Sequence, residues 1–315
     1  MRIESACLLG GTGFVGRSLA ENLSNRGVRV RVLTRRLLSS RPLWVLPTVE
    51  VEVADPQDEV ALAAALEGMD AVVNLCGILH ESGRQTFNAV HADLPRKVVG
   101  ACRAAGVRHL VHLSALGASD AAPSEYQRSK ARGEAAIREN AGALPFTIFR
   151  PSVIFGEEDR FLNLFARLTA FLPVIPLAAA SSRVQPVWVE DVARAIAGAL
   201  GDSQAFGKTY ELCGPHAYTL AELVAFVAEA SGRRPRIVPL PDWAATLQAV
   251  VFEHLPGKLI TRDNLKSLSV DNVCASPFPR DFGFEPSPLE AIVPAYFTGR
   301  TARARYNLFR HRAGR

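Results

Sequence analysis

The chain lacks a long apolar run. Its most hydrophobic region, Leu162 to Ala180, is broken by Arg167, Pro173 and Pro176, and so falls short of the ~20 unbroken apolar residues that a spanning helix needs. This pattern excludes an integral membrane protein. There is no CxxC pair either: the five cysteines, Cys7, Cys76, Cys102, Cys213 and Cys274, lie far apart among mostly apolar neighbours. They read as buried thiols in a reducing compartment. A Gly-rich stretch beginning at residue 10 leaves no room for a targeting peptide before the first strand, and a cytoplasmic location is expected. His109 and His112 have no carboxylate or cysteine at ligand spacing, which argues against a metal site. No internal repeat or low-complexity linker interrupts the chain. The net charge of +5 is modest and no nucleic-acid-binding motif accompanies it, so no nucleic-acid partner is expected.

What is present is globular. Hydrophobic residues make up 48% and charged residues 21%, close to the norm for folded domains. A length of 315 residues allows one large domain, or a large domain with a smaller appendage. The organising stretch is Leu8 to Gly16, between a strand-like run (Ile3 to Leu9) and a helix-like run (Phe14 to Arg26). Gly11, Gly13 and Gly16 fit GxGxxG, and Gly10, Gly13 and Gly16 fit GxxGxxG. Such a turn lets backbone N–H groups at a helix N-terminus face a pyrophosphate that a Cβ would keep away. Gly10, Gly11, Thr12, Gly13, Phe14, Val15 and Gly16 are therefore candidate cofactor-binding residues.

Strands and helices then alternate. Strands are expected at 28–33, 49–53, 70–75, 107–113 and 146–150, and helices at 59–66, 87–105 and 125–140, with Pro95 predicting a kink or a late helix start. The nearly all-apolar run from Asp70 to Leu75 suits a strand buried on both faces. This rhythm predicts an α/β fold, a doubly wound parallel sheet. Beyond Pro151 the rhythm loosens, with helices expected at 161–171, 189–200, 220–231 and 243–255 and short strands at 184–187, 208–212 and 236–240. The amphipathic segment from Trp243 to Leu255 reads chiefly as core packing, with a lid or membrane-surface contact as the lesser alternative.

Chemistry concentrates at Ser114, at the end of the fifth strand, and at Tyr126 and Lys130, which share one face of the following helix as an i, i+4 pair. A Lys ammonium beside a phenol is expected to pull its pKa below the free value of ~10. Tyr126 could then exchange a proton with a substrate oxygen that Ser114 holds, while hydride passes to or from a nicotinamide.

The stretches GGTGFVG, SEYQRSKARGE (Ser124 to Glu134), FRPSVIFG (Phe149 to Gly156) and PVWVEDVA (Pro186 to Ala193), with Ser114, resemble the short-chain dehydrogenase/reductase superfamily in its extended and atypical branches. Within it, NLCGILHES (Asn74 to Ser82), SALGA (Ser114 to Ala118), YELCGP (Tyr210 to Pro215) and PGKLITRDNL (Pro256 to Leu265) are most similar to the NAD(P)-binding accessory subunit of respiratory complex I and its bacterial relatives. The resemblance implies a Rossmann fold. It also implies that Asp55 meets the adenine amine, that Leu75, Cys76 and Gly77 line the ribose side, and that Pro151, Ser152 and Val153 lie near the nicotinamide. Two departures are visible: His91 stands where the family carries an Asn that props the Lys, and Arg150 to Ile154 is not followed by the Asn of sugar-nucleotide epimerases. A nucleotide-sugar substrate is disfavoured.

Thr34, Arg35 and Arg36 close the second strand without a carboxylate. An acidic residue there would accept from the ribose hydroxyls, whereas guanidinium groups suit a 2′-phosphate, so NADP(H) is favoured over NAD(H). The expected organisation is a dinucleotide-binding domain over residues 1–157 and a smaller, interleaved C-terminal substrate lobe over 158–315 that closes over the nicotinamide, with segments near 184–213 returning to the sheet. Arg300, Arg303, Arg305, Arg310, Arg312 and Arg315 crowd the last sixteen residues. This tail is either simply solvated or a contact for an acidic partner subunit or an anionic lipid surface at the inner face of a membrane. The function expected is an NADPH-dependent oxidoreductase acting on a small apolar carbonyl, hydroxyl or quinone-related compound. The alternative is an accessory or assembly protein of a respiratory complex that holds NADPH as a structural ligand.

Overall fold

The computed structural model describes residues 1–254 and 261–297; the Arg-rich tail, and Leu255 to Ile260 of the expected 243–255 and PGKLITRDNL segments, lie outside the described residues. The chain divides into two compact units, Met1–Ser152 with Val189–Leu212 and Ser276–Phe284, and Val153–Trp188 with Cys213–Ala275 and Glu285–Arg315.

The first unit is built on a parallel sheet. Its strands are β1 (Ser5–Leu9), β2 (Arg29–Thr34), β3 (Val49–Val53), β4 (Ala71–Asn74), β5 (His109–Leu113), β6 (Phe146–Pro151) and, at the far edge, Thr209–Leu212. Reading across the sheet from that edge, the order is Thr209–Leu212, β6, β5, β4, β1, β2, β3, and every pairing is parallel. The expected doubly wound parallel sheet is therefore present. All residues of β1, β4 and β5 are buried, including the polar Ser5, Asn74, His109 and His112, as central strands of a sheet covered on both faces are.

Helices α1 (Phe14–Asn25), α2 (Glu59–Leu66), α3 (Leu94–Ala104) and α4 (Glu125–Asn140) connect the strands, and Val189–Ala199 packs against α1. One core lies between sheet and helices and includes Leu9, Leu62, Val72, Val98, Leu110 and Ile137, all at most 1% exposed. Each such side chain contributes about 1.5–3 kcal/mol on burial. The region expected to be helical from 87 to 105 is helical from Phe87, passes through a π-turn at Ala89–Asp93 and continues as α3 from Leu94, with Pro95 at its second residue. Pro95, whose ring would clash with the preceding turn of a regular α-helix, follows directly on this π-turn.

The chain order reverses between β1 and β4, the point where an open α/β sheet receives its ligand. Two turns meet at the carboxyl ends of these strands: Gly10–Gly16 after β1 and Leu75–Gly77 after β4. A Cβ on Gly10 would lie 3.1 Å from the Leu75 carbonyl carbon and 3.2 Å from the Cys76 nitrogen.

The second unit has its own core, around Phe155, Leu162, Ile175, Val184, Leu223 and Val227. Helices Phe161–Phe171 and Leu220–Ala230 pack on each other, and Val174–Leu177 pairs in parallel with Arg236–Pro239. The strand expected over 184–187 is divided: Arg183–Val184 pairs with Tyr218–Thr219, and Val187–Trp188 pairs with Ile154–Phe155. The reading of five thiols is corrected here, because Cys213 and Cys274 are joined by a disulfide across 61 residues of sequence. Gln185 holds both flanks of that link, donating to the Gly214 carbonyl (2.6 Å) and accepting from the Cys274 N–H (3.1 Å). Cys7, Cys76 and Cys102 remain free. Helix Asp242–His254 also departs from expectation: Trp243, Leu247 and Val251 are exposed rather than packed in a core. No helix among the described residues is long and apolar enough to cross a membrane.

Candidate functional site

The Gly-rich turn is shaped by close approach. Gly10 adopts φ +80°, a left-handed conformation that favours glycine. Where α1 enters the turn, a Cβ on Gly16 would fall 2.5 Å from both the Gly10 oxygen and the Gly11 Cα, and one on Gly11 would fall 2.8 Å from Val32. Gly13 sits at the N-cap of α1 and makes no side-chain cap. The contrast with other helices is informative: Asp58 caps α2 by accepting from Val60 (3.0 Å) and Ala61 (3.3 Å), and Ser124 caps α4 by accepting from Gln127 (3.2 Å). The first N–H groups of α1 lack a side-chain acceptor from their own cap, in a cradle a Cβ would fill. Both features fit a pyrophosphate.

Arg35 and Arg36 follow β2 and are exposed, with Gln85 packed against the Arg35 guanidinium. Thr34 Oγ1 steadies the turn, accepting from the Arg36 N–H (3.3 Å) and donating to the Arg36 carbonyl (3.1 Å). Asp55, after β3, is exposed and accepts from the Gln57 N–H (3.1 Å). After β4, the Cys76 N–H is held by Asn74 Oδ1 at 3.1 Å, and burial pushes the Cys76 thiol up to about 12.

Ser114, one residue past β5, is 4% exposed, and its hydroxyl has no hydrogen-bond partner. Its N–H donates to the Phe149 carbonyl (2.7 Å), and Leu116 donates to Pro151 (2.9 Å), so Pro151 and Ser152 at the end of β6 sit next to it. Val153, the third residue expected near the nicotinamide, belongs to the second unit.

Lys130 is buried and donates to the Leu113 carbonyl at 3.1 Å. A Cβ on Gly77 would lie 3.3 Å from its Nζ and 3.7 Å from His91 Nε2, so the β4 turn, Lys130 and His91 converge. Burial lowers Lys130 to about 8, opposed in part by Cys76 and Glu134. Tyr126 corrects an expectation. Its half-buried phenol is pushed up to about 12 by burial, rather than lowered by Lys130, whose ammonium is turned to the Leu113 carbonyl. At neutral pH Tyr126 keeps its proton.

His91, noted in the sequence only as a departure, holds this arrangement together. It is 1% exposed and kept neutral, its pKa lowered to about 2 chiefly by burial and then by Lys130. Nε2 accepts from the Ile78 N–H (3.0 Å), which places the proton on Nδ1. Nδ1–H donates to Ser129 Oγ (2.8 Å), and Ser129 donates to the Tyr126 carbonyl (2.7 Å). The ring also stands edge-on to Tyr126, with centroids 5.5 Å apart. His91 thus joins the cofactor-side turn to the helix carrying Tyr126 and Lys130.

Two further residues escaped the sequence reading. Glu134, fully buried, accepts from Arg150 through both oxygens at 2.7 Å and from Arg138 at 2.9 Å, fixing α4 to β6. Gly133 lies where α4 touches the π-turn, and a Cβ there would overlap the His91 carbonyl oxygen. The signal was a glycine in mid-helix, which costs ~1 kcal/mol relative to alanine and so calls for a packing reason. Gly133→Ala should lower stability by about 3 kcal/mol or more, because the opposing atom is backbone and cannot give way; urea denaturation reads this directly.

A family model described as NAD(P)H-binding matches residues 10–202, from the glycine turn to just past the helix Val189–Ala199. The chain belongs to this NAD(P)H-binding family. It is 33% identical over 295 residues to the mitochondrial NADH dehydrogenase (ubiquinone) 1 alpha subcomplex subunit 9 of Mus musculus, covering 90% of this chain and 77% of that protein. It is 35% identical over 243 residues to a ceramide reductase of Caulobacter vibrioides, covering 75% of this chain and 73% of the relative. The fold is shared with an NADPH-dependent quinone oxidoreductase of Escherichia coli, solved with NADPH (TM-score 0.74, 22% identity, 93% of this chain and 99% of that one). In this NAD(P)H-binding, reductase-like chain, the uncapped start of α1 and the glycine cradle are the features that suit the dinucleotide.

Proposed function

We propose that this NAD(P)H-binding protein is an NADPH-dependent reductase of a small apolar carbonyl or quinone-related compound. The observation that carries the reading is the Ser114 hydroxyl, buried without a partner beside Lys130. A buried polar group left unpaired costs about 1–3 kcal/mol, and a substrate oxygen accepting from Ser114 would remove that cost. Tyr126, protonated at neutral pH, would donate to the same oxygen. When bound, the nicotinamide supplies the hydride. Lys130 would hold positive charge beside the ribose, and Leu75, Cys76 and Gly77 would line that side. Asp55 would take the adenine amine, and Pro151, Ser152 and Val153 would border the nicotinamide. Arg35 and Arg36, exposed at the end of β2 with no carboxylate in place of either, support NADPH over NADH.

A second reading rests on the likeness to the mitochondrial NADH dehydrogenase subunit. Here NADPH would be a structural ligand and the protein an accessory or assembly factor of a respiratory complex, with its basic tail meeting an acidic subunit or an anionic membrane surface. The two are separated by titrating the protein with NADPH and NADH and then following NADPH consumption against quinones, ketones and aldehydes. Turnover supports the reductase; tight, slowly exchanging NADPH with no turnover supports the accessory role. Arg35→Asp should weaken NADPH binding by roughly 10- to 100-fold and leave NADH binding nearly unchanged. Equal losses for both cofactors would refute the assignment of the 2′-phosphate to Arg35.

A further inference from the structure

The second unit bears an apolar surface that its own core leaves uncovered. On helix Asp242–His254, Ala245 and Ala249 face inward, at 7% and 0% exposure. The side chains on the other side, Trp243, Leu247 and Val251, recur at i, i+4 and i+8 and are exposed, Trp243 by 73%. Gln248 fastens this helix to the strand Val174–Leu177 by donating to the Pro176 carbonyl (3.2 Å). That strand continues the feature. Ile175 and Leu177 point inward, whereas Val174 is exposed, and so are Phe171 (85%) and Leu172 just before it. Its partner strand sets Arg236 opposite Val174 and Val238 opposite Pro176, both outward. Large aromatic and aliphatic side chains clustered in water mark a surface with an occupant.

Charge identifies the occupant. Residues 160–180 and 231–254, which carry this surface, contain five arginines (Arg160, Arg167, Arg233, Arg234 and Arg236) and two carboxylates, Asp242 and Glu253. Arg167 lies one helical turn before Phe171 on the same face. Arg234 reaches a carboxylate only at 3.8 Å, that of the exposed Glu229. An apolar stripe with a tryptophan at one end and arginines around it matches the headgroup boundary of an anionic bilayer, where the rings enter the acyl edge and guanidinium groups meet phosphates. We propose that this face of the second unit docks on a membrane surface rich in anionic lipid, lying on the bilayer without spanning it. The proposal goes beyond the reductase reading and does not depend on it.

The test uses the full-length protein, sedimented with vesicles of phosphatidylcholine alone or with about one-third phosphatidylglycerol. Anionic vesicles should bind it at least about tenfold more tightly than neutral ones, each removed arginine weakening binding by roughly fivefold. Trp243→Ser with Leu247→Ser should reduce binding about tenfold or more, while Trp44→Ser, an exposed site in the first unit, should not change it. NADPH titration of each variant reports whether the first unit is intact. Quenching of tryptophan emission by brominated lipid in the unaltered protein, lost in Trp243→Phe, gives the same answer without a destabilising change. Absence of binding, equal binding to neutral vesicles, or binding indifferent to Trp243 and Leu247 would overturn the proposal. So would lipid-free self-association abolished by the same substitutions, which would make the face a contact between copies of the chain.

Discussion

Acidification from pH 6.5 to 5 should lower the stability of the protein by about 4 kcal/mol. His91, His109 and His112 are each at most 1% exposed, and burial lowers their pKa values to about 2, 4 and 3. All three are neutral when folded and take up protons near pH 6.5 when unfolded. The unfolded state therefore binds more protons below 6.5, and the stability fully present above that pH is lost as pH falls. Each histidine contributes a slope of about 1.4 kcal/mol per pH unit. Asp159 opposes them: burial raises it to about 6, so below that pH the folded state gains a proton first and recovers a similar slope. The net loss is about 3 kcal/mol per pH unit, against a total stability on the order of 5–15 kcal/mol. Urea denaturation at several pH values measures it. His109→Gln should flatten the slope by about one proton; a stability constant from pH 6.5 to 5 would refute the account.

Tyr126→Phe should cut turnover by about 10²- to 10⁴-fold while leaving NADPH affinity close to unchanged. The substitution removes the hydroxyl that is proposed to donate the proton but keeps the ring that packs against His91 and Phe87. Lys130 adds a signature in pH. With its pKa lowered to about 8 by burial, the ammonium proposed to face the ribose is lost above that pH, so NADPH affinity should fall through pH 8. Lys130→Met should bind NADPH weakly at all pH values and show no such fall. A Tyr126→Phe protein that retains full turnover would move the proton-donating role to another group and leave Ser114 as the substrate's anchor.

The parallel sheet was legible because its central strands are short, mostly apolar runs alternating with helical stretches, a pattern that burial on both faces rewards. Helices α2 and α4 begin and end where the sequence places them, since Asp58 and Ser124 cap them and good helix formers follow; Phe161–Phe171 matches too, without a side-chain cap from Arg160. Ser114, Tyr126 and Lys130 were singled out by the end of the fifth strand, the i, i+4 spacing and the Gly-rich turn that opens the chain, and the roles given to them belong to the proposal. What spacing could not give was the direction of an effect. The i, i+4 relation puts Tyr126 and Lys130 on one face, but the Leu113 carbonyl competes for the ammonium, and burial then sets the phenol's pKa. The stripe of Trp243, Leu247 and Val251 has the same period whether it faces a core or water, so its exposure depends on the tertiary fold. Strands of two residues, such as Ile154–Phe155, have too few positions to show a period. The Cys213–Cys274 link spans 61 residues and depends on where two loops meet.

The edge strand Thr209–Leu212 pairs with β6, yet residues 153–188, which belong to the other unit, lie between them in sequence. On a ribosome, β6 emerges well before the strand that covers it. For the time taken to make about sixty more residues, at roughly 5–20 residues per second, the nascent sheet presents the open N–H and C=O groups of β6 to any extended chain nearby. A fragment ending at Glu157 would keep that exposed edge permanently. Such a fragment should be sticky in the way unprotected sheet edges are, and cellular handling of the newborn chain must bridge those few seconds.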